Sequence, residues 1–502
     1  MNVKIFYENV VTEFPGKLLL AAELLNNSKI KNVIIGHYKE LFFQILEEQK
    51  YTTDNLGDSV VYKDIWAGSE VFIKIFKLLK FRYYALQQED YLIFNKKFFK
   101  NISYNFVSNK YFLLINKFFT LSKYSLKLWN EYSSFHPDKF LATGNPRYEY
   151  GKKFFVKDNN NNNNILLAMP GLIFGIKYKS TKIPNIKKLI KNDAFTMNSD
   201  YDRLIQHCYH KSLLRFYLRI AKENQGSSFL LRIYPYERPY LKYYLRLIKN
   251  IKNLKISSEG TIFDDFQKTY LVITTCDNVS LEASILGIKT YVYKRNKILH
   301  NYLFGDHLFL KIYPNNVINK KNYGYIINNL DTNYEAENNY LKELYGLNLD
   351  SSRIIAREIV MNEDIKYNFF IRIKNTFIYY LLMFFIKKIF FYISIDKKNN
   401  YYNLLAFNNF KKKFKYSLTR IFFYLLFYDL KNIRHDVHNV IYKYLLGKNY
   451  HESSIKLHNS SSFNIDINYV LSLLKSFNSI DVKKLSLSLN PEKNILIIKK
   501  IS

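Results

Sequence analysis

Cysteine is nearly absent from this 502-residue chain, which holds only Cys208 and Cys276. They could form one bridge at most and have no zinc-ligand spacing, so a disulfide framework and a structural zinc module are excluded. A reducing cytoplasm is the expected compartment. Proline (9) and glycine (15) are too few for a collagen-like or Pro/Gly low-complexity chain. Long apolar runs are missing too. No uncharged apolar run reaches the ~18 residues that span a bilayer. The longest, Asn375 to Ile386, lies between Lys374 and Lys387. The opening MNVKIFYENVV reads as a buried strand and lacks the apolar core and cleavage site of a signal peptide. There is no P-loop, and no Gly-x-Gly-x-x-Gly follows a strand. His136, His207 and His210 make no metal set with nearby acids; His207 and His210 share a helix face, but no third ligand is evident. Asp264-Asp265 reads as the start of a helix, not as a D-x-D metal motif, so no metal is expected.

What is present suits folded domains. Hydrophobic residues make up 48% and charged residues 23%, enough apolar surface for sizeable cores. The length calls for two or three domains. Lysine and arginine number 75 against 42 acids, a net charge of +33. Such a surface draws polyanions. Joint enrichment in Lys, Asn, Ile, Tyr and Phe is equally what an A+T-rich genome produces. No RRM, KH or zinc motif accompanies the charge, so nucleic acid is not an expected partner.

Short apolar runs alternate with helix-like segments. Val3–Phe6, Asn32–Gly36 and Val60–Tyr62 read as strands; Gly16–Leu25, His37–Gln49 and Glu70–Leu79 read as helices. Asp158 to Asn164, an acid followed by six asparagines, reads as a linker. The alternation then restarts. Ile165–Met169, Phe229–Ile233, Leu254–Ile256, Leu271–Thr275 and Thr290–Tyr293 are strand-like; Tyr201–Glu223, Tyr240–Ile251 and Ser280–Leu286 are helix-like. This order predicts two α/β halves with parallel sheets and a ligand cleft between them. Residues 365–447 are dense in Phe, Tyr, Ile, Leu and Lys with almost no Gly or Pro. They read as basic amphipathic helices, suited to an anionic lipid surface at the inner face of the cytoplasmic membrane, or to a bundle packed on the body with its lysines solvated.

The segment LVITTCDNVSLEASILGIKTYVY, Leu271 to Tyr293, carries the most chemistry. A buried strand leads through a polar loop into a helix near Ser280, and helix N-termini hold phosphates. Ser280 is read as the N-cap and Glu282 as a first-turn carboxylate able to accept from the two hydroxyls of a ribose. The same residues would serve as a plain cap and a favourable dipole charge. Pro170-Gly171 would let backbone approach a ligand, or is an ordinary turn. A base for acceptor activation would come from the first half: Glu13, in a loop before a helix, then Glu89 and Asp90.

Several stretches resemble, in order, the surface carbohydrate biosynthesis family of GT-B type glycosyltransferases, related to capsule and Kdo transferases. They are FYENVVTEFPGKLLLA, ALQQEDYLIF (85–94), ATGNPRYEY (142–150), LRIYPYERP (231–239), SEGTIFDD (258–265) and S-L-E-A from Ser280. The resemblance spans roughly residues 1–345. It implies two Rossmann-like domains facing a cleft: an acceptor-side domain at 1–157, a linker at 158–164, a nucleotide-sugar domain at 165–345, and a mostly helical basic-aromatic extension at 346–502. It implies transfer of a sugar from a nucleotide-sugar donor to a glycan or glycolipid acceptor of lipopolysaccharide or capsule, with no cofactor. Arg232 would neutralise donor phosphate, Gly171, Tyr234, Thr275, Asn278 and Ser280 would line the site, and Glu282 would hold the ribose. Two departures stand out: Tyr234 replaces the family's His in R-x-H-P, and T-C-D-N-V replaces its His-containing loop, placing Asp277 where a phosphate would be repelled unless the acid turns away. They also admit a transferase fold that binds without turnover in a membrane-bound assembly complex.

Overall fold

The computed structural model describes residues 1–7, 10–37, 41–42, 44–45, 58–63, 70–88, 112–132, 137–155, 164–170, 200–258, 260–294, 309–310, 313–328, 346, 350–361, 465–477, 480–490 and 495–501. The chain divides into two units, residues 1–146, 349–453 and 464–502 forming one and residues 147–348 and 454–463 the other. Gly171, Glu89, Asp90 and the basic aromatic stretch 365–447 lie outside the described residues.

The first unit is built on strands β1 (Asn2–Tyr7), β2 (Asn32–His37), β3 (Ser59–Lys63), β4 (Arg82–Leu86), β5 (Lys117–Thr120) and β6 (Phe140–Ala142), interleaved with helices α1 (Val10–Leu25), α2 (Glu70–Leu78) and α3 (Lys123–Tyr132). The strands run parallel in the order β2-β1-β3-β4-β5-β6. Their continuous apolar runs are what a parallel sheet covered on both faces requires. β1 is buried along its whole length, Lys4 included. Lys4 Nζ meets Asp58 Oδ2 at 2.5 Å, so the buried ammonium has its counter-ion. Trp129 of α3 fills the far end, its ring 4.9 Å from Phe118 and 5.9 Å from Phe140.

Helix α4 (Pro146–Phe154) leads into the second unit, with proline at its first position, where no N–H is needed. The second sheet comprises β7 (Asn164–Ala168), β8 (Ser228–Arg232), β9 (Leu254–Ser257), β10 (Thr269–Thr274), β11 (Lys289–Tyr293) and β12 (Val317–Ile318). All pair parallel, in the order β12-β11-β10-β7-β8-β9. Helices α5 (Asp200–Glu223), α6 (Leu241–Ile248), α7 (Ile262–Phe266), α8 (Asn278–Ile285) and α9 (Tyr323–Asn328) connect or follow them. One core joins Ile165, Leu167, Leu231 and Ile273 of the sheet to Tyr209, Leu213 and Tyr217 of α5. Each side chain of this size contributes ~1.5–3 kcal/mol by leaving water.

The segment expected to be a mostly helical extension differs in its described part. Helices α10 (Ser351–Met361) and α11 (Ile467–Ser476) pack on α1. The end of the chain is a hairpin, β13 (Leu485–Asn490) and β14 (Ile495–Lys500), whose second strand runs antiparallel to β2 and widens the first sheet. Its LSLSLN and ILII runs have the period-two pattern of strands.

Candidate functional site

In a parallel α/β sheet, ligands gather outside the carboxyl ends of the strands, where successive connections leave in opposite directions. In the second unit that point lies between β7 and β10: from β7 the chain proceeds outward through β8 and β9, then returns to place β10 on the other side of β7. Tyr217 bridges the two strand ends from α5, its hydroxyl 2.9 Å from Ala168 O and 3.0 Å from Ile273 O. Arg232, the loop after β9 and the start of α8 lie at this edge of the sheet.

Arg232 ends β8 and is buried. It donates to Ser257 Oγ and Asp265 Oδ2, each at 3.1 Å, and to Gly260 O at 2.7 Å. Ser257 in turn donates to Asp265 Oδ1 at 2.6 Å. Burial pushes the Asp265 carboxyl up, and the guanidinium and Ser257 hydroxyl pull it back. The loop is fixed at its other side by a capping box, in which Thr261 and Asp264 exchange bonds at the start of α7. Gly260 sits at φ +65°, and a Cβ there would stand 2.6 Å from Asp264 Oδ2. Arg232 therefore organises the loop instead of presenting an unoccupied charge to a phosphate.

The start of α8 also departs from expectation. Asp277, not Ser280, is the N-cap: its Oδ1 accepts from Ser280 N at 3.3 Å. Thr275 donates to Asp277 Oδ2 at 3.0 Å, and Thr274 lies 3.3 Å from both carboxylate oxygens. Burial raises the Asp277 carboxyl to about 7 against these bonds. The acid thus turns onto its own helix. Ser280 is buried and spends its hydroxyl on Asp277 O at 2.6 Å. Asn278, half-buried at the first helical position, and Val279 after it carry two of the orphan amides of the helix.

Glu282 lies in the second turn, not the first, and is 1% exposed. Neither carboxylate oxygen receives a hydrogen bond from the described residues. Its companion is Arg147 of α4, whose Nη2 stands 2.6 Å from Oε1. Burial raises the Glu282 carboxyl and Arg147 opposes that rise. Tight packing brings α4 here: a Cβ on Gly151 would fall 2.6 Å from the Phe263 ring of α7.

Tyr234 is half-buried between β8 and a 3-10 turn at Pro235–Tyr240. Behind that turn is a buried network that sequence reading missed. Glu237 Oε2 accepts from Tyr244 OH at 2.6 Å, and Glu237 Oε1 lies 2.8 Å from His210 Nε2. His210 Nε2 is 3.1 Å from Tyr244 OH. Burial and the carboxylate drive the Tyr244 hydroxyl far above its usual range. The three residues come from three elements, so no spacing announces them.

In the first unit, Glu13 belongs to the first turn of α1 and not to a preceding loop. It is buried, 3.7 Å from Lys63 Nζ. The Gln88 amide, oriented with its nitrogen toward Glu13 Oε2 and its oxygen toward Lys17 Nζ, makes both contacts at 2.7 Å. Strand β3 lies across β1 from β2, so this cluster occupies the equivalent reversal point of the first sheet. The T-G-N segment serves the same edge: Asn145 Nδ2 donates to Gln87 O at 3.2 Å, and Thr143 N to Thr120 O at 3.0 Å. Among the described residues, no group of three or more His, Cys, Asp or Glu is placed to hold a metal, and no helix is long and apolar enough to cross a membrane.

No protein-family model matches the chain, and no curated protein matches it in sequence. Among solved structures, it is similar to the UDP-GlcNAc 2-epimerase of Neisseria meningitidis bound to UDP-GlcNAc, at 13% identity over 72% of this chain and 100% of that one, with a TM-score of 0.39. It is similar to the wall teichoic acid polymerase TagF at 12% identity over 71% and 87% of the two chains, TM-score 0.40. A UDP-N-acetylglucosamine 2-epimerase from Rickettsia bellii follows at 10% identity over 71% and 93%, TM-score 0.34. Likeness at this level sets no residue of this chain against a residue of those proteins.

Proposed function

We propose that the chain is a GT-B type glycosyltransferase that moves a sugar from a nucleotide-sugar to a glycan or glycolipid of a bacterial surface polysaccharide, lipopolysaccharide or capsule. The observation that carries this reading is Glu282, a buried carboxylate one turn into the helix that starts at the reversal point of the second sheet, with no hydrogen bond on either oxygen from the described residues. A ribose offers two adjacent hydroxyl donors, which a carboxylate accepts as a pair. The amides of Asn278 and Val279 then suit the diphosphate, negative charge at a helix N-terminus being favourable. Arg232 contributes by fixing the 257–265 loop, and Tyr234 by offering a hydroxyl.

In the reaction, an acceptor hydroxyl attacks the anomeric carbon, the bond to the donor's phosphate oxygen breaks, and the nucleotide leaves. Glu13 is the proposed base for the hydroxyl proton, set among Lys63, Gln88 and Lys17. Residues 365–447, basic and aromatic, are the proposed contact with an anionic membrane surface. A second reading, a transferase fold that binds without turnover, is favoured by the internal engagement of Arg232 and by Asp277 on the helix N-terminus.

A thermal-shift series with CMP-, CDP-, UDP- and GDP-sugars tests the binding, since a ligand of the folded state raises the melting temperature by mass action. The transferase reading expects one nucleotide to stabilise the chain and its sugar to be released or transferred on incubation. Stabilisation without turnover selects the second reading; no stabilisation by any nucleotide removes both.

A further inference from the structure

The ion pair between Arg147 and Glu282 has a consequence for the donor site, and it rests on the nucleotide reading above. Both residues belong to the second unit. Glu282 is sealed from solvent, and among the described residues its cationic partner is the Arg147 guanidinium, 2.6 Å from Oε1. A carboxylate whose oxygens receive no hydrogen bond from the described residues is an unsatisfied acceptor in a place where such groups are costly. Arg147 is the more exposed partner, its side chain 17% accessible against 1% for Glu282. The guanidinium therefore has room to leave, whereas the carboxylate does not.

We propose that Arg147 is a nucleotide-binding residue that changes partner: it covers Glu282 in the ligand-free chain, and on nucleotide entry its guanidinium passes to the diphosphate while the two ribose hydroxyls take its place on Glu282. Every charge keeps a partner through the exchange. The carboxylate gives up one cation and gains two neutral donors that fill both oxygens. The guanidinium gives up a carboxylate and gains phosphate oxygens, for which its planar fork is equally suited. The displacement required is short. Glu282 is five residues beyond the Asp277 cap, ~7.5 Å along the helix at the usual rise, which is within the sweep of an arginine side chain. The pair also sets selectivity. A nucleoside without phosphates would have to uncover Glu282 without giving Arg147 a new partner, so the unliganded pair rejects it; only a ligand carrying both diol and phosphate completes the exchange.

The test compares nucleoside and nucleoside diphosphate on the full chain. Cytidine, uridine and guanosine and their diphosphates are titrated by calorimetry or ligand-observed NMR against wild type, Arg147→Gln, Arg147→Lys and Glu282→Gln. The exchange predicts opposite effects for Arg147→Gln: diphosphate affinity falls about tenfold or more while the matching nucleoside binds tighter, the carboxylate having been uncovered. Arg147→Lys, which keeps the charge, retains part of the diphosphate affinity and stands in if the Gln variant does not fold. Equal loss for nucleoside and diphosphate in either Arg147 variant, or no change in both, overturns the exchange. Glu282→Gln separates the two levels: if it leaves diphosphate binding intact, the site itself is misplaced; if it weakens both ligands while Arg147→Gln has no opposing effects, the site stands and the exchange falls.

Discussion

Arg147 Nη2 stands 2.6 Å from Glu282 Oε1, joining the first turn of α4 to the second turn of α8 inside the second unit. This contact brings two short motifs, the T-G-N-P-R segment and the S-L-E-A segment, together. It also predicts a stability cost. Arg147→Ala leaves a sealed carboxylate without its cation, and removal of one member of a buried pair costs about 3–5 kcal/mol. Because Arg147 is partly exposed, the lower end of that range is expected, read as a lower urea midpoint with unchanged slope.

Arg232 and Asp265 should behave as a structural pair. Arg232→Ala strands Asp265 in the interior and removes three donors from the 257–265 loop. A loss of about 3–5 kcal/mol is expected, with much of it already present in Asp265→Ala, since the two act through one interaction. A double-mutant cycle by urea unfolding checks it; strictly additive losses would contradict the pairing.

Gly260→Ala should destabilise through backbone geometry. At φ +65° an L side chain costs ~1–2 kcal/mol, and the new Cβ would press on Asp264 Oδ2, which the capping box holds in place. The expected signature is a lowered melting temperature with the secondary structure seen by circular dichroism unchanged.

Asp277 gives a pH dependence with a defined sign. Its carboxyl titrates near 7 in the folded chain against 3.8 ordinarily. Between those values the unfolded chain has released the proton and the folded chain has kept it, so this group makes stability fall as pH rises from about 4 to about 7, and adds no further change above that. At about 1.4 kcal/mol per pH unit the whole effect is at most about 4 kcal/mol. Asp277→Asn keeps a good helix cap and removes the titration. The variant's stability should therefore gain on wild type as pH climbs through this window, measured by urea unfolding at pH 4.5, 6 and 7.5.

The sheet strands were legible in the sequence because short β-branched runs such as NVIIG and LVIT have few other uses. The order of strands and helices likewise implied parallel sheets. The site was less legible, for physical reasons. Asp277 and Ser280 are both good caps, and the acid three residues upstream wins because Thr274 and Thr275 add two hydroxyls to its carboxylate. Arg232 reads as a phosphate ligand until Asp265 is seen to neutralise it. The His210–Glu237–Tyr244 network and the Arg147–Glu282 pair join residues far apart in the chain, which periodicity does not register. The hairpin 485–500 carried a period-two signal in LSLSLN that a reading of the whole tail as an extension passes over.

The proposed nucleotide site at α8 is tested most directly by one comparison: melting temperatures of wild type and Glu282→Gln across nucleoside diphosphates at saturating concentration. Glu282→Gln keeps the side chain's shape while removing the charge that a ribose diol and Arg147 both require. A rise for at least one diphosphate in wild type, lost in the variant, is the expected result. An equal rise in both proteins, or none in either, would contradict it.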